Sequence, residues 1–217
     1  MRNRQRFPEA MPGRGARGAS LLEAIVMLSI VVIVMLAICT TYDAGSAIYA
    51  RGATDMEVQD NGRKAQDEMA KLLRSAGSDP MGTGIFGLRT AAGFTPIATE
   101  GSILFSMDTN NDGVLDTNSN ERVGFALFGT ELRRTVDGVN AVLGLPPLAR
   151  NVRSLRFAYF TASNAPIPNP AGATYTLTAA QMQAIRRITV QVTVAADAGS
   201  QGSRVYTLST DVRPRNL

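Results

Sequence analysis

The sequence contains no histidine and one cysteine, Cys39. Without histidine there is no imidazole general base, no Ser-His-Asp triad and no His-ligated metal. With one cysteine there is neither an intrachain disulfide nor a Cys-rich zinc site. Carboxylates remain as catalytic groups, but no pair of them stands in a recognisable catalytic setting, so the chain reads as a protein without an enzymatic activity of its own. A nucleic-acid footprint is also lacking. The net charge is +4, yet the first eighteen residues, MRNRQRFPEAMPGRGARG, hold five arginines and one glutamate, and the rest balances seventeen Lys/Arg against seventeen Asp/Glu. The basic character belongs to a short tail, not to a surface that would follow a phosphate backbone.

What is present is one long apolar run. From Leu21 to Ile38 only Glu23 and Ser29 are not apolar. With its flanks the run covers residues 19–41. As a helix it reaches about 35 Å, enough for a hydrocarbon core of about 30 Å. Arginines before it place the N-terminus in the cytoplasm and the remainder on the far side. Glu23 conflicts with this, because a carboxylate inside a span costs about 2.5–3.5 kcal/mol on insertion scales. A secretory signal would use Asp43–Ala47, DAGSA, as its cleavage site, but the run is too long for that. A lipoprotein box at Leu36–Cys39, LAIC, has the large Ile38 where a small residue belongs. Snorkelling of Glu23 to the cytoplasmic interface is the plain structural account.

Helical periodicity continues past the run. In NGRKAQDEMAKLLRSAG, residues Ala65, Met69, Leu72, Leu73 and Ala76 share one face. Gly77 is placed to cap the helix and Asp79-Pro80 ends the pattern. One helix is therefore expected from about Ser20 to Ala76, weakened at Gly45, Gly52 and Gly62. Residues 82–101 read as loop. Alternating strands follow: SILFSMD with Ile103, Phe105 and Met107 inward, ERVGFALFG, ELRRTVDG with a turn signal at Asp137-Gly138, VRSLRFAYF, RITVQVTVAA and RVYTLSTDVRP. Each is expected to bury one face and wet the other. SNAPIPNPAGA reads as loop, and TLTAAQMQAI as a short helix capped by Thr178.

The stretch RGASLLEA resembles the processing site of type IV prepilins and pseudopilins: a basic leader ending in glycine, four mostly apolar residues, glutamate, then an apolar helix. The C-terminal half, LRRTV to LARNVRSLRFAYF to LTAAQMQAIRRITVQVTV to YTLSTDVRPRNL, is similar to PilW-type minor pilins. The resemblance implies cleavage between Gly18 and Ala19 by a prepilin peptidase, usually with N-methylation of Ala19. It makes Glu23 the fifth mature residue, an assembly group that meets the Ala19 amine of a neighbour or its own. Ala19 stands where major pilins usually have phenylalanine.

The implied fold is α+β: a long N-terminal helix, transmembrane in its first half, packed on an antiparallel sheet. The implied organisation is a leader at 1–18, a membrane segment at 19–41, an amphipathic continuation at 42–76 and a periplasmic β-rich head at 77–217. The implied function is that of a minor pilin in type IV pilus assembly, at the initiation, tip or base of the filament. The expected location is a single inner-membrane pass, followed by a cell-surface or periplasmic filament. Expected partners are the prepilin peptidase, other pilin subunits, the inner-membrane assembly machinery and membrane lipid. A J-type pseudopilin of type II secretion shares this plan. The rival from another class is a membrane-anchored periplasmic binding or enzymatic domain. Arginines 133, 134, 150, 153, 156, 186 and 187 raise a DNA-uptake surface, but strand faces and carboxylate partners account for them better, and nucleic acid is disfavoured.

One further motif carries chemistry. In DTNNDGVLD, Asp108, Asn110 and Asp112 alternate, Gly113 follows, Val114 offers a carbonyl, and Asp116 completes nine positions of an EF-hand-type calcium loop. Ser119 stands at the twelfth position in place of glutamate, and Glu121 is out of register. No cofactor is required by this reading, but Ca²⁺ is a candidate ligand, with a weak Kd in the range of about 10⁻⁴–10⁻³ M. The competing account is an Asx-rich turn without an ion.

Overall fold

An unbroken helical ladder runs from the apolar segment into the charged one. In the computed structural model, which describes residues 20–116, 120–136, 146–168, 176–197 and 203–217, helix α1 spans Leu21–Ser75. This matches the expected extent within a residue at each end. The chain divides into two units, Met1–Tyr49 and Ala50–Leu217.

In the first unit no described residue is buried. The helix there is long and apolar enough to cross a membrane. Its few hydroxyls bond within the helix: Ser29 Oγ donates to the Val26 carbonyl at 2.8 Å, and Thr41 Oγ1 to the Ala37 carbonyl at 2.8 Å. Such back-bonding lets a hydroxyl enter an apolar phase without an unmet donor.

In the second unit α1 buries one face, made of Val58, Gly62, Ala65, Gln66, Met69, Ala70 and Leu73. After it come β1 (Ile97–Ala98), β2 (Ser102–Ser106), β3 (Arg122–Phe128), β4 (Glu131–Val136), β5 (Val152–Phe160), β6 (Pro166–Ile167), α2 (Ala179–Gln183), β7 (Arg187–Asp197) and β8 (Ser203–Val212). The strands form two four-stranded antiparallel sheets, ordered β1-β2-β3-β4 and β6-β5-β7-β8. The sequence reading expected a single sheet; alternation within strands cannot say which strands pair. The two sheets are tied together by the Phe157 amide donating to the Glu100 carbonyl at 2.8 Å and by the buried Tyr159 hydroxyl donating to the Thr99 carbonyl at 2.8 Å. Burial pushes the Tyr159 phenol well above its ordinary range.

The amphipathic half of α1 lies on the second sheet. A Cβ built on Gly62 would come within 2.7 Å of Leu208 Cδ1 and 3.4 Å of a Val194 methyl. Asp55 of the helix also holds Arg204 of β8 at 2.8 Å. Strands β5 and β7 alternate as expected, with Leu155, Phe157, Tyr159, Ile188, Val190, Val192 and Val194 buried. β2 and the first half of β3 do not. Ile103–Met107 and Glu121–Phe125 are buried without a break. The 82–101 stretch explains this. It supplies buried Phe86, Leu88 and Phe94, includes β1, and bridges Gly87 to Ser106. Arg122 on β3 donates to the Gly93 carbonyl at 3.1 Å and lies over the Phe94 ring. A segment read as free loop thus covers a second face of the sheet. The other segment read as loop contributes Pro166 and Ile167 as β6.

Turns and caps follow local chemistry. Gly77 ends α1 with φ 76°, the left-handed cap that glycine adopts without steric cost. Gly129, with φ 62°, opens the two-residue turn between β3 and β4. The Asp137-Gly138 turn signal lies outside the described residues. Thr178 caps α2 in a capping box with Gln181.

Candidate functional site

Two places carry the chemistry read from the sequence: the start of α1 and the loop after β2. At the helix start, Gly18 and Ala19 lie outside the described residues. Glu23 sits exposed in the first turn. Its amide donates to Ser20 Oγ at 3.3 Å, and the Ala24 amide donates to the Ser20 carbonyl at 3.1 Å. Ser20 is therefore the N-cap, and Glu23 is the third helical residue. This Ser-x-x-Glu spacing is that of a capping box. The structure shows the Ser20 half of such a box, and the spacing that allows the Glu23 half is plain in SLLE. A carboxylate here also faces the positive end of the helix dipole.

The loop after β2 is closed by its own side chains. Asp108, almost wholly buried, accepts from the Asn111 amide at 2.6 Å through Oδ1 and from the Gly113 amide at 3.1 Å through Oδ2. Asn111 and Gly113 take positive φ of 64° and 72° to allow it. Asn110 Nδ2 donates to Asp112 Oδ2 at 2.9 Å and to Asp116 Oδ2 at 3.4 Å. Asp112 Oδ1 accepts from the Val114 amide at 2.8 Å. Val114 itself is exposed.

Glu121, placed out of register by the sequence count, is 1% exposed and turned into the loop. Its Oε1 accepts from the Thr109 amide at 3.2 Å and its Oε2 from the Asp116 amide at 2.9 Å. Asp108, Asp112 and Glu121 each bring a carboxylate oxygen within 4.8 Å of one another. Arg122 pins the same loop from beneath through the Leu115 carbonyl at 3.2 Å. Among the expected ligands the structure thus gathers Asp108 and Asp112, bridges Asn110 to Asp112 and Asp116, and adds Glu121. The twelfth position, Ser119, lies outside the described residues. Counting positions could not find Glu121, because its place is set by hydrogen bonds to the loop backbone.

Several arginines on the head surface are paired. Arg133 and Arg150 both reach Glu131, Arg156 lies 3.4 Å from Glu100, and Arg187 lies 2.9 Å from Asp211 while stacking 3.8 Å above the Phe160 ring. A shallow depression of about 270 Å³ on the second sheet is lined by Glu100, Arg156, Thr189, Gln191 and Ser209. It joins an exposed ion pair to hydroxyls and an amide. Asp211 accepts from Thr189 Oγ1 and from Arg187; the Thr189 hydroxyl above all, then Arg187, holds its carboxyl below the usual range against the opposing effect of burial. No protein-family model matches the chain, and no curated protein sequence does either.

Proposed function

We propose that this chain is a minor-pilin-type assembly subunit, anchored by the first half of α1 and carrying Ala50–Leu217 as its head. The observation that carries the reading is the helix itself. Over its first half it is apolar on every side, is covered by none of the described residues, and has one acid in its first turn. A helix with no core to bury into needs lipid or other helices around it. An antiparallel β head behind such a helix is the pilin plan. The J-type pseudopilin is the alternative within this class.

Glu23 tests the proposal, because its two uses separate. A capping use needs only one acceptor oxygen, which Glu23→Gln keeps. As an assembly group facing the Ala19 amine it needs its charge. Both Glu23→Ala and Glu23→Gln are expected to insert normally in the membrane and to be lost from sheared filaments. Full recovery of Glu23→Gln in filaments would remove the assembly role. N-terminal mass spectrometry of the purified protein is expected to give Ala19 as the first residue, N-methylated. A start near Ile48 or an acylated Cys39 would overturn the reading.

A second reading concerns the acidic loop, which we take as a cation site of the head. Two buried carboxylates and a third within 4.8 Å favour it, since three oxygens at that spacing can share one hard cation. Calcium at a hundredfold excess over Kd is expected to stabilise the full chain in detergent by about 2.7 kcal/mol. Asp112→Asn is expected to abolish most of that gain. Equal melting in calcium and chelator would leave the loop as a polar turn.

A further inference from the structure

After β8 the chain does not run off into solvent. Residues 213–217 cross back over the end of α1, with Pro214 buried. The Arg215 amide reaches the Arg74 carbonyl at 3.5 Å. Leu217 packs against the core from a half-buried position. Its side chain rests on Gly77 and Gly87, both remote from it in sequence. A Cβ at Gly87 would lie 2.7 Å from Leu217 Cδ2, and a Cβ at Gly77 would lie 3.3 Å from the same methyl and closer still to the Asn216 carbonyl. Both glycines hold positive φ, 76° at Gly77 and 96° at Gly87, where an L side chain is strained in any case. Together they leave a notch the size of one apolar side chain.

The same turn is gripped from β2. The Gly77 and Gly87 amides both donate to the Ser106 carbonyl at 3.0 Å, and the Asp108 amide donates to the Ser78 carbonyl at 2.8 Å. Ser75 Oγ also touches Met107 Sδ at 3.1 Å. Helix ends fray because their last carbonyls have no partner within the helix. Here the end is held by β2 through backbone bonds and by residues 213–217 through one side chain and one amide.

We propose that residues 213–217 are a latch that fixes the last turn of α1 to the head, with Leu217 seated in the notch left by Gly77 and Gly87. The contacts all lie within Ala50–Leu217, so the latch stands whatever the protein assembles with. Released, it would free the Arg74 carbonyl and open the notch, leaving β2 alone to hold the helix end.

Hydrogen exchange read by mass spectrometry on the full chain in detergent micelles tests this. Leu217→Ala is expected to speed exchange in peptides covering 72–88 by about tenfold, with β5 and β7 unchanged. Leu217→Met, which refills the notch, is expected to restore protection. Two results would overturn the latch: no change over 72–88 in Leu217→Ala, or an equal acceleration across β5 and β7, which would make Leu217 an ordinary core residue.

Discussion

The two halves of α1 belong to one helix and obey different rules. Leu28 and Leu73 have the same side chain in the same backbone conformation, yet Leu28 is 67% exposed and Leu73 is fully buried. Around Leu73 apolar residues recur on one face and the head closes over them. Around Leu28 every face is apolar and no described residue closes over any of them. Helix propensity is therefore not what separates the halves. The second half owes its stability to packing, while the first must draw on a medium that accepts apolar surface on all sides.

The sharpest way to break this contrast is a pair of truncations. Leu73→Ala is expected to destabilise the head by about 2–5 kcal/mol, the usual cost of a buried leucine cavity. Leu28→Ala is expected to leave head unfolding unchanged, because that side chain is mostly exposed. Thermal unfolding of the full chain in detergent, followed by near-ultraviolet circular dichroism, checks both. A shared loss would mean that the first half also packs on the head.

The glycines sharpen the same contrast on a smaller scale. Among the described residues nothing outside the helix lies within 4 Å of a Cβ built on Gly45 or Gly52, whereas one on Gly62 meets Leu208 at 2.7 Å. Gly52→Ala is expected to stabilise by about 1 kcal/mol through helix propensity. Gly62→Ala is expected to forfeit that gain, since Leu208 must move aside. If Gly62→Ala matched Gly52→Ala in the same melting assay, the close approach of helix and sheet would be disproved.

The smallest effect lies on the outer face of the second sheet. Asp211 titrates below its ordinary value near 3.8 because Thr189 and Arg187 hold the charged form. A carboxyl depressed in the folded state stabilises above its unfolded pKa and loses that contribution as pH falls through the folded value. Asp211→Asn is thus expected to lower the melting temperature slightly at pH 6 and hardly at all at pH 2. Because Asp211 is itself more than half exposed, solvent screening keeps the difference small. A gap that widened in acid would reverse the assignment.

Much of this molecule could be read along the chain. The bounds of α1, its cap at Gly77, the alternation of β5 and β7, and the Thr178 cap of α2 each depend on residues within a few positions of one another. The acidic loop was legible for the same reason, as far as Asp108, Asn110 and Asp112 go. The third acid of the cluster was not, since Glu121 reaches the loop through hydrogen bonds that no spacing rule contains. The 82–101 stretch also misled, because glycine and threonine suggest loop while Phe86, Leu88 and Phe94 are spent on covering β2 and β3.

The sequence by itself determined that a long apolar helix with an acid in its first turn precedes a β-rich head. Periodicity, caps and turn residues are local, and local sterics and hydrogen bonding enforce them without reference to the rest of the chain. Only the tertiary structure decided that the strands divide into two sheets, that β2 is buried on both faces, that Glu121 joins Asp108 and Asp112, and that Leu217 closes on Gly77 and Gly87. These are pairings between distant segments, chosen by which surfaces fill one another's space, and that choice appears in no single stretch of residues.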